Sequence, residues 1–344
     1  MNYRRAWHPR RAVLGAAPKR SDTIMRDKIC TLTLNPAIDY TIFVDDFAMN
    51  HVNLSHGNCR TPGSKGVNVA RMLVRCGVPI TCFGVIGGAD GAYIESELNR
   101  EGVRCDFVPV DYNARTNIKL IDLKNETYTD INFDGGSPTC GQIENLREKV
   151  RTLAKESKLI ALAGSLPPDV SRDIYYELAI IASEAGAKVS VDCHGVPLSR
   201  ALEAKPFIIK PNLHELETTF GIKCTTMGDV ADAAMEIYHG GVENVLVSMG
   251  SRGALAVCGG EIFRVPVQDV KVMTTVGAGD AFLSGFIYGW HMGLDSVGCL
   301  RYAYSFSQVK VCMRPDAAFT GNDLMVYAED ARIEVGFDKN GAVR

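Results

Sequence analysis

Ile29-Cys30-Thr31-Leu32-Thr33-Leu34-Asn35-Pro36 begins with six β-prone residues and ends on an Asn-Pro turn signal, which reads as a first strand followed by a tight exit. Working outward, comparable apolar runs recur at residues 81–86, 159–163, 189–191, 207–209 and 245–247. Helix-length stretches fall between them at 67–75, 142–155, 172–184 and 230–239. Strands that alternate with helices, and that are apolar throughout, are buried on both faces. The expected core is therefore an α/β sandwich with a mostly parallel central sheet. Residues 40–60 and 116–133 break the rhythm: Thr, Val, Ile, Asn and Tyr alternate with polar residues and no helical period appears. They predict extra strands outside the main sheet, a small β lid over the ligand crevice.

Length and composition bound the rest. A chain of 344 residues fits one large α/β core with an appendage. The apolar share of 46% and charged share of 22% are globular values, and no apolar run is long enough to cross a bilayer. Residues 1–24 carry Arg4, Arg5, Arg10, Arg11, Lys19 and Arg20 against Asp22, a local charge of +5 that leaves −8 for the remainder of a chain whose net charge is −3. An acidic body argues against nucleic acid as the main partner, and the lack of a spanning apolar run argues against a membrane. The basic head lacks the apolar core of a secretory signal and reads as a disordered leader, with Met25 just ahead of the first strand. The domain expectation is a leader over 1–24, one catalytic unit over 25–330 and a tail over 331–344. Eleven cysteines, an odd number with no C-x-x-C pair, fit neither a disulfide framework nor a zinc site, and point to a reduced, cytoplasmic setting.

The strongest chemical signal is Thr274-Thr275-Val276-Gly277-Ala278-Gly279-Asp280, a small-residue turn that feeds the apolar helix pattern Ala281-Phe282-Leu283-Ser284-Gly285-Phe286. Glycines let backbone N–H groups converge, and a helix N-terminus adds the positive end of its dipole, so the turn is a candidate anion hole. Asp280 beside it has two readings: a helix cap, or a general base that takes a hydroxyl proton as that oxygen attacks phosphorus. No G-x-x-x-x-G-K-[ST] string occurs, which excludes a Walker-type nucleotide binder. A second cluster, Pro62-Gly63-Ser64-Lys65-Gly66-Val67-Asn68, opens a helix, with Lys65 and Asn68 as polar groups suited to sugar hydroxyls or phosphate, or simply a structural turn. Asp39 follows the first strand's exit, where open α/β sheets place ligands. Gly164-Ser165-Leu166-Pro167-Pro168, Lys210-Pro211-Asn212-Leu213-His214-Glu215 and Ser248-Met249-Gly250-Ser251-Arg252-Gly253 each follow an expected strand, so all three can line one crevice.

With these strings in order, the stretch from Ile29 to Ala318 resembles the ribokinase-like sugar kinases, in particular the phosphofructokinase B family and its 1-phosphofructokinase and tagatose-6-phosphate kinase branches. The resemblance implies an ATP- and Mg²⁺-dependent kinase of a ketohexose phosphate, fructose 1-phosphate first and tagatose 6-phosphate as the alternative. Asp280 would then be the base, and the amides of Gly277, Ala278 and Gly279 the anion hole. Ser248, Met249, Gly250, Ser251, Arg252 and Gly253 would border the ATP phosphates and nucleotide, with Asn212 and Gly279 on the same side. Glu215 would position Mg²⁺ through water, which suits an ion that dehydrates reluctantly. Asp39, Gly63, Lys65 and Asn68 match sugar-contacting positions, and Arg115, with Ser165 nearby, matches an arginine that holds the phosphate already on the acceptor. A homodimer paired through the extra strands is implied at family level. Other readings kept open are a kinase of an unphosphorylated sugar or nucleoside, and a non-catalytic sugar or nucleotide sensor.

Three departures from the family pattern carry expectations of their own. The usual Gly-Gly-Lys-Gly reads Gly63-Ser64-Lys65-Gly66, which predicts strain if that position has φ > 0. The usual Asp-Thr-Ser-Gly reads Asp192-Cys193-His194-Gly195, with His194 expected to be structural. An Ala-rich segment after the catalytic helix is replaced by Tyr304-Ser305-Phe306-Ser307-Gln308-Val309, which predicts atypical packing on the nucleotide side.

Overall fold

The computed structural model describes residues 27–268, 270, 272–313, 317 and 319–336; the basic leader and the stretch beyond 336 lie outside them. In chain order the elements are β1 (Lys28–Thr33), β2 (Ala37–Val44), β3 (Ser55–Gly63), α1 (Lys65–Arg75), β4 (Ile80–Ile86), α2 (Gly88–Arg100), β5 (Arg104–Pro109), β6 (Arg115–Asp122) and β7 (Thr127–Ile131). There follow α3 (Cys140–Glu156), β8 (Ser157–Ala163), α4 (Ile174–Glu184), β9 (Lys188–Asp192), α5 (Val196–Leu202), β10 (Ile208–Ile209), α6 (Leu213–Phe220) and α7 (Met227–His239). The last group is β11 (Asn244–Ser248), β12 (Ala254–Cys258), β13 (Glu261–Val265), α8 (Ala278–His291), α9 (Ser296–Cys312), α10 (Gly321–Leu324) and β14 (Glu334–Val335).

Ten strands form one sheet in the order β14-β13-β12-β11-β10-β9-β8-β1-β4-β5, parallel from β11 to β5 and antiparallel from β11 to β14. Its central strands are apolar because both faces are covered: all seven residues of β4 are buried. Helices α1, α2, α8 and α9 pack on one face through Val67, Leu73, Ile94, Leu283 and Leu300, while α3, α4, α5, α6 and α7 pack on the other through Leu146, Leu178, Leu198, Leu216 and Val230. Each such side chain contributes about 1.5–3 kcal/mol on burial. Helix α8 is enclosed on nearly every side, with ten consecutive residues buried from Asp280 to Gly289. That enclosure fixes its N-terminus against the carboxyl edge of the sheet.

The chain leaves β1 toward β4 on one side and returns to β8 on the other, so the strand order reverses beside β1. Ligand crevices form at such a point, outside the carboxyl ends of the strands. The two alternating stretches form a separate sheet in the order β3-β2-β6-β7. Its β2 continues directly from the Asn35-Pro36 exit of β1, and α1 begins where β3 ends, so the small sheet is tied to the mouth of that crevice. Glu334–Val335 pair with β13 at the edge of the large sheet. No disulfide joins any of the eleven cysteines.

Candidate active site

Helix α8 begins at an N-cap, Gly277, with φ 78° and ψ 3°, a left-handed conformation that glycine adopts at little cost. As a glycine, Gly277 has no side chain with which to cap this end. The amide of Ala278 donates to Thr275 O at 3.2 Å, and among the described residues those of Gly277 and Gly279 donate to no backbone carbonyl. An open pair of donors at the positive end of a 14-residue helix is a site for an anion. Asp280 sits one residue further on and is 7% exposed. Its side chain does not cap the helix; Oδ2 accepts a hydrogen bond from Asn68 Nδ2 at 2.7 Å. Burial pushes its pKa up, and repulsion from Asp192 adds to the rise, against opposing pulls from Lys65, Asn68 and Lys210. A carboxylate with a raised pKa beside an anion site is a competent proton acceptor.

Behind Asp280, the ends of β9, β10 and β11 bring together a charge network. Asp192, the last residue of β9, is 1% exposed and receives Lys65 Nζ at 2.8 Å, with Lys210 Nζ at 3.4 Å. Burial opposes its ionisation, but Lys210 and then Lys65 win and hold its pKa below the usual carboxylate range. Lys65 also reaches Glu215 Oε1 at 3.3 Å, so two of its three donors are engaged and one remains for a ligand. Asn212 and Glu215 form a capping box on α6: Glu215 Oε2 accepts from Asn212 N–H and Asn212 Oδ1 from Glu215 N–H, both at 2.8 Å. The spacing that reads as a nucleotide and magnesium motif is thus also what starts this helix. Asn212 pairs with Ser248 as an isolated bridge, and Met249 to Gly253 form a tight turn closed by Met249 N–H to Gly253 O at 2.8 Å. Gly250, Ser251 and Arg252 are the 3₁₀ turn within it.

On the small-sheet side, Asp39 accepts from Asn117 Nδ2 at 3.2 Å and lies 3.6 Å from Lys119 Nζ. Gly63, paired with Ala37 on the β2–β3 ladder, lies diagonally from it: a Cβ there would stand 2.5 Å from the Asp39 carboxyl. Gly63→Ala is therefore expected to displace Asp39 and raise KM for the acceptor about tenfold, the loss of one charge-assisted hydrogen bond, with kcat less affected. Steady-state kinetics check this; an unchanged KM removes Asp39 from the acceptor site. Arg115, first residue of β6, donates to Ser165 Oγ at 3.2 Å and to the carbonyls of Asn35 and Phe133. Burial lowers its pKa, opposed by Asp39 and Asp134. Asn35 links the same corner, donating to Asp134 O at 2.8 Å.

Ser64 has φ 98° and ψ 146°, a region that is essentially glycine's, so the expected strain is present and costs about 1–3 kcal/mol. Its hydroxyl is 2.6 Å from Thr33 Oγ1, and its carbonyl accepts Asn68 N–H at 2.9 Å. The contact with Thr33 ties the start of α1 to the end of β1. His194 and buried Cys193 border the groove that also contains Ser165. Sequence reasoning assigned no role to Asp192, Lys210, Asn117 or Lys119. The signal for the first two was a charge at the end of an apolar strand run.

A ribokinase-like fold, a glycine turn ahead of a buried aspartate, and an arginine corner at the strand reversal now stand together. The family model described as pfkB family carbohydrate kinase matches residues 32–317. Among curated relatives, the chain is 36% identical over 266 residues to a 1-phosphofructokinase of Borreliella burgdorferi, covering 77% of this chain and 85% of that one. It is 35% identical over 261 residues to a 1-phosphofructokinase of Bacillus subtilis, covering 76% and 85%. Phosphofructokinase-2 from Escherichia coli in its tetrameric inhibited form superposes with a TM-score of 0.82 at 26% identity, over 88% of this chain and 98% of that one. With the family model matching more than two thirds of the chain and relatives above 30% identity over most of its length, this chain belongs to the pfkB family of carbohydrate kinases.

Proposed function

We propose that the chain transfers the γ-phosphoryl group of ATP to the free primary hydroxyl of fructose 1-phosphate, giving fructose 1,6-bisphosphate. The observation that carries the reading is Asp280, buried, raised in pKa and adjacent to the open amides of Gly277 and Gly279. The acceptor hydroxyl gives its proton to Asp280, and its oxygen attacks the γ-phosphorus while the bond to the bridging oxygen breaks toward ADP. Charge on the moving phosphoryl group is met by the Gly277 and Gly279 amides at the α8 N-terminus. Asn68 holds the Asp280 carboxylate in place by its 2.7 Å hydrogen bond. Ser248 to Gly253 border the nucleotide, and Asp39 with Asn117 and Lys119 orients the sugar. The 36% identity to a protein named 1-phosphofructokinase supports the choice of acceptor.

Mg²⁺ would be carried by the ATP phosphates and neutralise their charge. No cluster of three or more acidic, histidine or cysteine ligands occurs among the described residues. Glu215, pinned between the Asn212 amide and Lys65, is the hard oxygen donor that fits a role through water.

The phosphate already on the acceptor meets Arg115 and Ser165. Arg115→Ala is expected to raise KM for fructose 1-phosphate about 10- to 100-fold, from the loss of a charge-assisted contact, and to leave turnover of unphosphorylated fructose unchanged. The test is Mg²⁺-ATP turnover of fructose 1-phosphate, tagatose 6-phosphate, fructose 6-phosphate, fructose and ribose by wild type and variant. Preference for an unphosphorylated sugar, unaffected by the substitution, overturns the reading.

The same reading makes residues 25–330 one catalytic unit of a cytoplasmic homodimer. Phe47, Val52, Leu54, Ile131 and Phe133, exposed on and around the small sheet, supply an apolar surface for pairing. No helix among the described residues is long and apolar enough to cross a membrane.

A further inference from the structure

Two lysines flank the N-terminus of α8. Lys210 stands at Gly279, 3.1 Å from where a Cβ would be, and is matched by Asp192. Lys310 stands at Gly277: its Cε is 3.2 Å from the corresponding point, where Asn68 Nδ2 is 4.0 Å away. Lys310 belongs to the last turn of α9 and lines a cavity shared with Asp39, Asn68, Arg71 and Gly277. Among the described residues no carboxylate forms an ion pair with it. Two neighbouring arginines are already committed, since Arg71 and Arg75 both bind Glu101, at 2.7 and 2.9 Å. The result is a half-buried cation with no carboxylate partner among the described residues, beside an open backbone anion site and within reach of a buried base.

We propose that Lys310 is a further catalytic residue, its ammonium donating to an equatorial oxygen of the phosphoryl group as it passes from ATP to the acceptor. The inference rests on the kinase reading above. In the step, the bond from acceptor oxygen to γ-phosphorus forms and the bond from γ-phosphorus to the bridging oxygen breaks, its electron pair leaving with ADP. The hydroxyl proton goes to Asp280, and Lys310 keeps its own protons throughout. Its contribution is a fixed positive charge where negative charge accumulates, in a site with little water.

A lysine in the last turn of a helix also suits the negative end of the helix dipole, a role that arginine fills equally well. Titration separates the two. Burial lowers the pKa of Lys310, with Arg71 and Arg75 on α1 adding to the fall against Asp280 on α8 and Asp39 on β2; Lys119 on β6 and Asp130 and Tyr128 on β7 line the same cavity. A catalytic ammonium held below its ordinary value gives kcat an alkaline decline, which a guanidinium does not share.

The experiment uses the full chain as wild type, Lys310→Met and Lys310→Arg. It follows kcat and KM for fructose 1-phosphate with Mg²⁺-ATP from pH 6 to 10, with melting temperatures alongside. The expected result is a kcat for Lys310→Met lower by about 10²-fold with KM within threefold, the scale of losing one charge-stabilising donor. Lys310→Arg should keep measurable turnover and lose the alkaline decline, a readout that stands even if the methionine variant does not fold. An active wild type with Lys310→Met within threefold of it, or with the same alkaline decline in Lys310→Arg, overturns the inference alone. A wild type that phosphorylates none of the sugar phosphates overturns the kinase reading, and this inference with it.

Discussion

Asp280→Asn is expected to lower kcat for fructose 1-phosphate by about 10²–10⁴-fold, the worth of a positioned general base, while the folded protein is at least as stable as wild type at neutral pH. The two halves of this expectation have one cause. Burial and the nearby Asp192 raise the Asp280 pKa, so the native state binds this proton more tightly than the unfolded chain does. Native stability therefore falls as pH climbs from the ordinary carboxylate value through the raised one, and above it the protein bears the cost of holding Asp280 ionised. Asparagine keeps the shape, still offers an oxygen to Asn68, and removes that cost. A helix cap or a structural ion pair would behave in the opposite way, losing stability on substitution. Kinetics and thermal melts on the same two proteins decide. In wild type, kcat should also fall as pH drops through the raised Asp280 pKa. More than a tenth of wild-type turnover in Asp280→Asn excludes the base, and a melting temperature lower by several degrees makes the residue structural.

How much of this was legible in the sequence depends on the range of each interaction. The central strands were readable because burial on both faces leaves them apolar, and residues 29–34, 81–86 and 159–163 fall within one or two positions of β1, β4 and β8. Helix α2 was not, since Gly88, Gly91 and scattered charges leave only Gly91, Ile94 and Leu98 buried. The β12–β13 hairpin was hidden because its turn, Gly259-Gly260, followed a run too short to stand out. Local chemistry placed Asp280 and the glycine turn. What it could not place are partnerships across the fold: Lys65 meets Asp192 across 127 positions, and Asn68 meets Asp280 across 212. Lys310 becomes notable only once α9 packs along α8 and sets it at Gly277. The Asn212 and Glu215 pair shows the converse case, in which one spacing satisfies a helix N-terminus and a ligand motif together.

Asp192→Asn is the most informative change away from the reacting atoms. In wild type one buried carboxylate neutralises Lys65 at 2.8 Å and Lys210 at 3.4 Å. Asparagine removes the charge and leaves Lys210, 3% exposed, with no acidic partner among the described residues, whereas Lys65 keeps Glu215. Breaking one side of a buried pair typically costs about 3–5 kcal/mol, or roughly 4–7 °C in melting temperature for a chain of this size. The sign with pH follows from the depressed pKa of Asp192: its stabilisation is present above the ordinary carboxylate value and is lost as pH falls through the folded one. The gap between wild type and variant should thus be wide at neutral pH and close in acid. Adding Lys210→Met should recover part of the loss, because it removes the orphaned ammonium. The same substitution reaches Asp280, which Asp192 repels and the two lysines attract. Taking Asp192 away removes the repulsion and leaves the lysines' attraction less shared, and both changes lower the Asp280 pKa, so the acid limb of kcat should move to lower pH in Asp192→Asn. If stability falls while that limb stays in place, the network supports the fold without tuning the base; if both move together, the charge buried behind the active site sets the proton affinity in front of it.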